Sequence, residues 1–126
     1  MKLRIDMTST VPAYRQIVDG LRVMLVAGEL KPGVVLPSVR RIAIDLGVHF
    51  NTVAEAYRAL AEEGWLDLKH GRSALVIERR TPAADDQKLR ELSHQLRSLA
   101  AQMRAEGVPI NKIRAEFRAV AEELLS

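Results

Sequence analysis

Arg40, Asn51, Thr52 and Arg58 lie within one short stretch, and each can bind a polyanion or a base edge. The guanidinium of Arg40 is a planar fork that fits a phosphate or the O6/N7 edge of guanine in two parallel hydrogen bonds. The amide of Asn51 matches adenine in the same bidentate manner, or contacts backbone alone. The Thr52 hydroxyl either caps a helix or bonds a phosphate. Arg58 suits a phosphate. Lys69, His70 and Arg72 surround Gly71 and extend the basic surface. Ser38 stands just before an apolar periodic run, where a hydroxyl caps a helix N-terminus. His49 stands at the equivalent place before a second run. Imidazole caps less well than a small polar side chain, so contact with a ligand is the alternative there.

Catalytic chemistry finds little support. His49, His70 and His94 are far apart and share no metal-like spacing. There is no cysteine, which removes disulfides, thiolate metal sites and thiol nucleophiles together and fits a reducing cytoplasm. No Gly-rich phosphate loop, nucleophile elbow or carboxylate pair stands out. Asp85-Asp86 and Glu122-Glu123 read as helix-end charges. No enzyme, metal or cofactor is expected.

These side chains need elements to position them. Tyr14, Ile17, Val18, Leu21, Met24 and Leu25 fall at the i, i+3, i+4, i+7 spacing of one helix face over residues 13–27, between Pro12 and Gly28. Val34-Val35-Leu36 follows as a short extended piece. A second helix opens after Ser38 and carries Val39, Ile42, Ala43 and Leu46 inward. Gly47, free to take positive φ, ends it. A third runs from about Asn51 to Gly64 with Val53, Ala56, Tyr57 and Leu60 on its buried side. By that spacing Tyr57 is a core residue with its hydroxyl at the surface, where it could also meet a phosphate. The small Ala43, the turn at Gly47 and the buried Val53 together make a helix-turn-helix, the unit that places a helix in a major groove. Trp65–Leu68 and Ala74–Ile77 then read as two strands of a hairpin.

Residues 79–86 form a linker candidate between two periodic regions. Beyond it Leu89, Leu92, Leu96, Leu99 and Met103 step by three and four, as do Ile113, Phe117, Val120 and Leu124 after Gly107-Val108-Pro109. Two such narrow stripes belong to an amphipathic helix pair that must pack either on the N-terminal domain or on another copy of itself. Charge divides along the same line. Residues 1–80 hold 12 Lys/Arg against 9 Asp/Glu, whereas residues 81–126 hold 7 of each, so the whole excess of +3 lies on the first part. That is an electrostatic footprint for a polyanion. The start, MKLRIDMTST, lacks the apolar region of a signal peptide, and no run reaches the ~20 apolar residues of a membrane span. A cytoplasmic protein without a membrane partner is expected.

The motifs now in view resemble those of GntR-family transcription regulators, in the layout of the small YtrA-type subfamily. The matching pieces are Pro12-x-Tyr14-x-Gln16-Ile17, Gly28-x-Leu30-x-Pro32-Gly33, Leu36-Pro37-Ser38-x-Arg40-x-x-Ala43, Leu46-Gly47-Val48 and Asn51-Thr52-Val53-x-x-Ala56-Tyr57-x-x-Leu60-x-x-x-Gly64. The resemblance implies a mainly α protein: a winged helix-turn-helix DNA-binding domain over residues 1–78, a linker at 79–86, and a two-helix dimerisation hairpin over 87–126. It implies operator DNA as partner, read by a homodimer, with Arg40 of the Ser-x-Arg motif reaching the DNA. The roughly 45 remaining residues are too few for a separate effector domain, so no effector can be named. The wing departs from the family: Gly71-Arg72-Ser73 has lost the second glycine, while Arg72 remains suited to a narrow minor groove. The rival reading is a winged-helix adaptor that binds protein and no longer reads DNA; the acidic Glu55, Glu62 and Glu63 favour it.

Overall fold

A computed structural model describes residues 2–69 and 73–126. Chain contacts divide it into two units, Met1–Arg80 and Thr81–Ser126.

In the first unit, helix α1 (Ala13–Val26) buries Ile17, Val18, Leu21, Met24 and Leu25, the stripe its spacing requires. Helix α2 (Val39–Leu46) is capped by Ser38, whose Oγ accepts from the Arg41 amide at 3.1 Å. It stops at Gly47, which takes φ 69°. That left-handed turn redirects the chain into helix α3 (Phe50–Glu62). Helix α3 packs against both α1 and α2, and its Val53, Ala56 and Leu60 are wholly buried.

Three short strands close the core: β1 (Val35–Leu36), β2 (Leu66–Asp67) and β3 (Ala74–Val76). They form an antiparallel sheet in the order β1-β3-β2, pairing Leu36 with Ala74 and Leu66 with Val76. The strands are shorter than the apolar pattern predicts. Trp65, Leu68 and Ile77 lie outside them, although the Ile77 amide still donates to the Trp65 carbonyl at 3.1 Å. The extended piece at Val35 is the third strand, a partner for β3 that the sequence pattern does not reveal.

Side chains tie the ends of this unit down. The Gln16 amide bonds the Asp6 backbone on both sides (2.8 and 2.9 Å) and the Val11 carbonyl (2.8 Å), holding the N-terminal segment on α1. Leu3 packs on the core against Gly20, where a Cβ would stand 2.6 Å from the Leu3 side chain. At the end of α3, Arg22 forks onto both oxygens of Glu63 at 3.0 and 2.6 Å. That hydrogen-bonded guanidinium holds the Glu63 carboxyl below the usual carboxylate range. Arg79 donates to the Glu63 carbonyl at 2.7 Å and lies over the Trp65 ring at 4.6 Å. Arg79, placed at the start of the linker by composition, is therefore anchored to the first unit.

In the second unit, helix α4 (Asp86–Ala105) is capped by Asp85, which accepts from the Lys88 amide at 2.7 Å. Helix α5 (Ile110–Leu124) follows Pro109. Helix α4 buries none of its residues. Leu89, Leu92, Leu96 and Leu99 are each more than half exposed, with Phe117 and Val120 also open. Met103 and Leu124 are half-buried. Ile113 differs from the rest of its stripe. It is 7% exposed within the single chain, so its apolar surface is already covered and it is withdrawn from the expected dimer seam. Among the described residues no helix is long and apolar enough to cross a membrane.

Candidate nucleic-acid interface

The start of α3 depends on His49. Its Nδ1 accepts from the Asn51 amide at 3.1 Å, with extended backbone at φ −68°, ψ 142°. The imidazole does cap the helix, against the expectation from its poor capping ability. Thr52 is released from that role: it sits inside the first turn, half-buried, rather than at the cap. Asn51 beside it is exposed.

Arg40 and Arg58 are both exposed and line a single groove of about 690 Å³ between the start of α2, the outer side of α3 and β3. Among the described residues neither takes part in an ion pair, whereas the neighbouring Arg41 is paired with Asp45 at 3.3 Å. Unneutralised guanidinium groups facing one groove attract phosphate. Ser38 opens onto the same groove with its hydroxyl engaged in the cap.

Tyr57 is placed differently from its alternatives. Its side chain is 2% exposed, and its hydroxyl points inward, donating to the Pro37 carbonyl at 2.7 Å. Burial pushes the hydroxyl up to about 12, so it remains a protonated donor at neutral pH. A phosphate contact by this hydroxyl is not compatible with that geometry; Tyr57 positions the groove instead of lining up for a ligand. In the wing, Lys69 is exposed and its amide donates to Asp67 at 2.9 Å. His70 and Arg72 lie outside the described residues.

Phe50 escapes the sequence reading, which starts the helix one residue later. It is the first residue of α3, 55% exposed, and stacked on the His49 ring (centroids 5.1 Å apart, planes at 25°). Its periodicity, three before Val53 and seven before Tyr57, marks a buried residue. At the helix's first position, however, the side chain tilts toward the N-terminus and overhangs the core edge.

The sequence profile of the family described as bacterial regulatory proteins, gntR family, matches residues 13–76. The chain belongs to the GntR family. The matched segment covers α1 to β3, the whole winged helix-turn-helix. Over 122 residues the chain is 29% identical to the HTH-type transcriptional repressor YtrA of Bacillus subtilis, spanning 97% of this chain and 94% of that protein. Among solved structures, YtrA from Sulfolobus acidocaldarius, a GntR-family transcription factor, is 33% identical over 98% of this chain and 99% of its own, with a TM-score of 0.56. A Listeria monocytogenes EGD-e protein described as a transcriptional antiterminator aligns over 100% of this chain and 94% of its own at 25% identity, with a TM-score of 0.74. This GntR member has the YtrA-type layout, a winged helix-turn-helix followed by a helical pair. It is a DNA-binding transcription regulator and not an enzyme.

Replacing Tyr57 by Phe removes only the hydroxyl bonded to Pro37. The substitution is expected to lower stability by about 1 kcal/mol, the usual net value of one such bond, in urea unfolding. An unchanged midpoint would show that the bond does not hold the two helices together.

Proposed function

We propose that this GntR regulator is a homodimeric repressor, acting in the cytoplasm on an inverted-repeat operator. The observation that carries the reading is the exposed start of α3 flanked by the unpaired Arg40 and Arg58. Asn51 and the half-buried Thr52 stand where the first turn of a recognition helix meets base edges. Arg40 takes guanine or a phosphate, and Arg58 takes a phosphate. Lys69, with His70 and Arg72, serves the neighbouring minor groove or backbone.

The dimer contact falls to the apolar row of the second unit. An isolated helix pair that exposes Leu89, Leu92, Leu96, Leu99, Phe117 and Val120 leaves more apolar surface in water than such a small unit sustains. A two-fold pairing of these rows covers it, with Met103 and Leu124 at its ends. Such symmetry matches an operator whose half-sites face one side of the duplex. The repressor sense follows the function named for the Bacillus subtilis relative. Family membership and the exposed Arg40 and Arg58 on one groove weigh against the adaptor reading, which Glu55 favours.

Arg40→Ala is expected to weaken operator binding by about 1–3 kcal/mol in a gel-shift titration if Arg40 contacts a base in bidentate fashion; unchanged affinity would remove Arg40 from the interface. Leu96→Lys is expected to sediment as a monomer. A Leu96→Lys protein that remains dimeric would place the dimer contact elsewhere.

A further inference from the structure

We propose that Phe50 reads thymine methyl groups in the operator, with His49 as the support that fixes its ring. The inference rests on the reading of α3 as the helix that enters the major groove, and it adds a specificity determinant at a position that no motif marks.

Phe50 is the first residue of α3, and its 55% exposure is unusual for a ring of that size with a wholly buried neighbour, Val53, one turn later. A helix side chain at this position leans beyond the helix's own N-terminus, toward whatever that end approaches. One ring contact supports it there. The His49 ring stacks on it, and the His49 ring is itself held by the hydrogen bond from the Asn51 amide. Phe50 thus presents an apolar edge to the groove that Arg40 and Arg58 also line, one residue before the exposed Asn51.

In the major groove an apolar edge can recognise one feature, the C5-methyl of thymine. A phenyl ring neither donates to guanine O6 and N7 nor accepts from cytosine N4, so it leaves those groups without a partner once water is expelled. Against thymine it covers the methyl and strips apolar surface from both sides. Asn51, one residue on, is suited to adenine by its amide. The pair therefore favours an A/T-containing step in each half-site, with Phe50 on a thymine and Asn51 on an adenine nearby.

The decisive experiment uses the full chain and duplex DNA selected from a random pool by its binding. Each thymine of the selected half-site is replaced in turn by uracil, which removes the methyl and leaves every hydrogen-bonding group in place. Affinities are measured for the wild type, Phe50→Leu and Phe50→Ala, with thermal unfolding to verify that the variants fold. One or two uracil positions per half-site are expected to weaken wild-type binding about threefold to fivefold each, the effect of burying one methyl. Phe50→Leu should keep part of that sensitivity and Phe50→Ala should lose it. Uracil tolerated at every position by the wild type, with specific binding retained, would overturn the role of Phe50 alone. Sensitivity that persists in Phe50→Ala would do the same. A pool from which no duplex is enriched would overturn the underlying DNA-reading assignment, and this inference with it.

Discussion

The hydroxyl of Tyr57 reaches from the middle of α3 to the carbonyl of Pro37, 2.7 Å away, and ties α3 to the residue that precedes the cap of α2. Pro37 immediately precedes Ser38, the cap of α2. A bond at that point sets where α2 begins, and so where Arg40, two residues after the cap, stands relative to α3. The wholly buried Val53, Ala56 and Leu60 prevent α3 from rotating about its axis. The Tyr57 bond adds the lateral register. Burial raises the pKa of this hydroxyl further above its ordinary value. At the far end of α3 the Arg22–Glu63 fork and the Arg79 contact on Trp65 complete the clamp.

Much of this was legible in the chain because it depends on local rules. Ser38 before an apolar run and Gly47 after it marked α2 by capping chemistry alone, and the stripe from Val53 to Leu60 marked the buried side of α3. What stayed hidden depends on distant partners. Val35 pairs with Leu75 across the fold, and no spacing within either segment announces that. The clasp of Gln16 on Asp6 is equally non-local. Tyr57 was assigned correctly to the buried side, but periodicity carries no information about where a hydroxyl at the end of a ring will find its acceptor. Phe50 shows the opposite failure. Its spacing fits the core, and only the geometry of a helix end turns it outward.

The second unit presents a different problem. Its helices form by ordinary capping, with Asp85 at one start and Pro109 at the other, yet capping does not hide leucines. Ile113 is the exception that the chain covers by itself, while the row from Leu89 to Leu99 stays open. In the proposed homodimer, folding and association are coupled for this part, a second copy removing its apolar surface from water. In that proposed dimer the leucine row supplies the two-fold axis that an inverted-repeat operator would match.

In the proposed dimer, two copies of α3 enter successive major grooves on one face of an operator. Hydroxyl-radical and guanine-N7 footprinting of the full chain on a selected duplex tests it most directly. Two protected patches related by two-fold symmetry are expected, on the same side of the helix and about 10 base pairs apart or a multiple of that, with N7 protection inside each. A single unbroken patch, or protection confined to the minor groove, would contradict it.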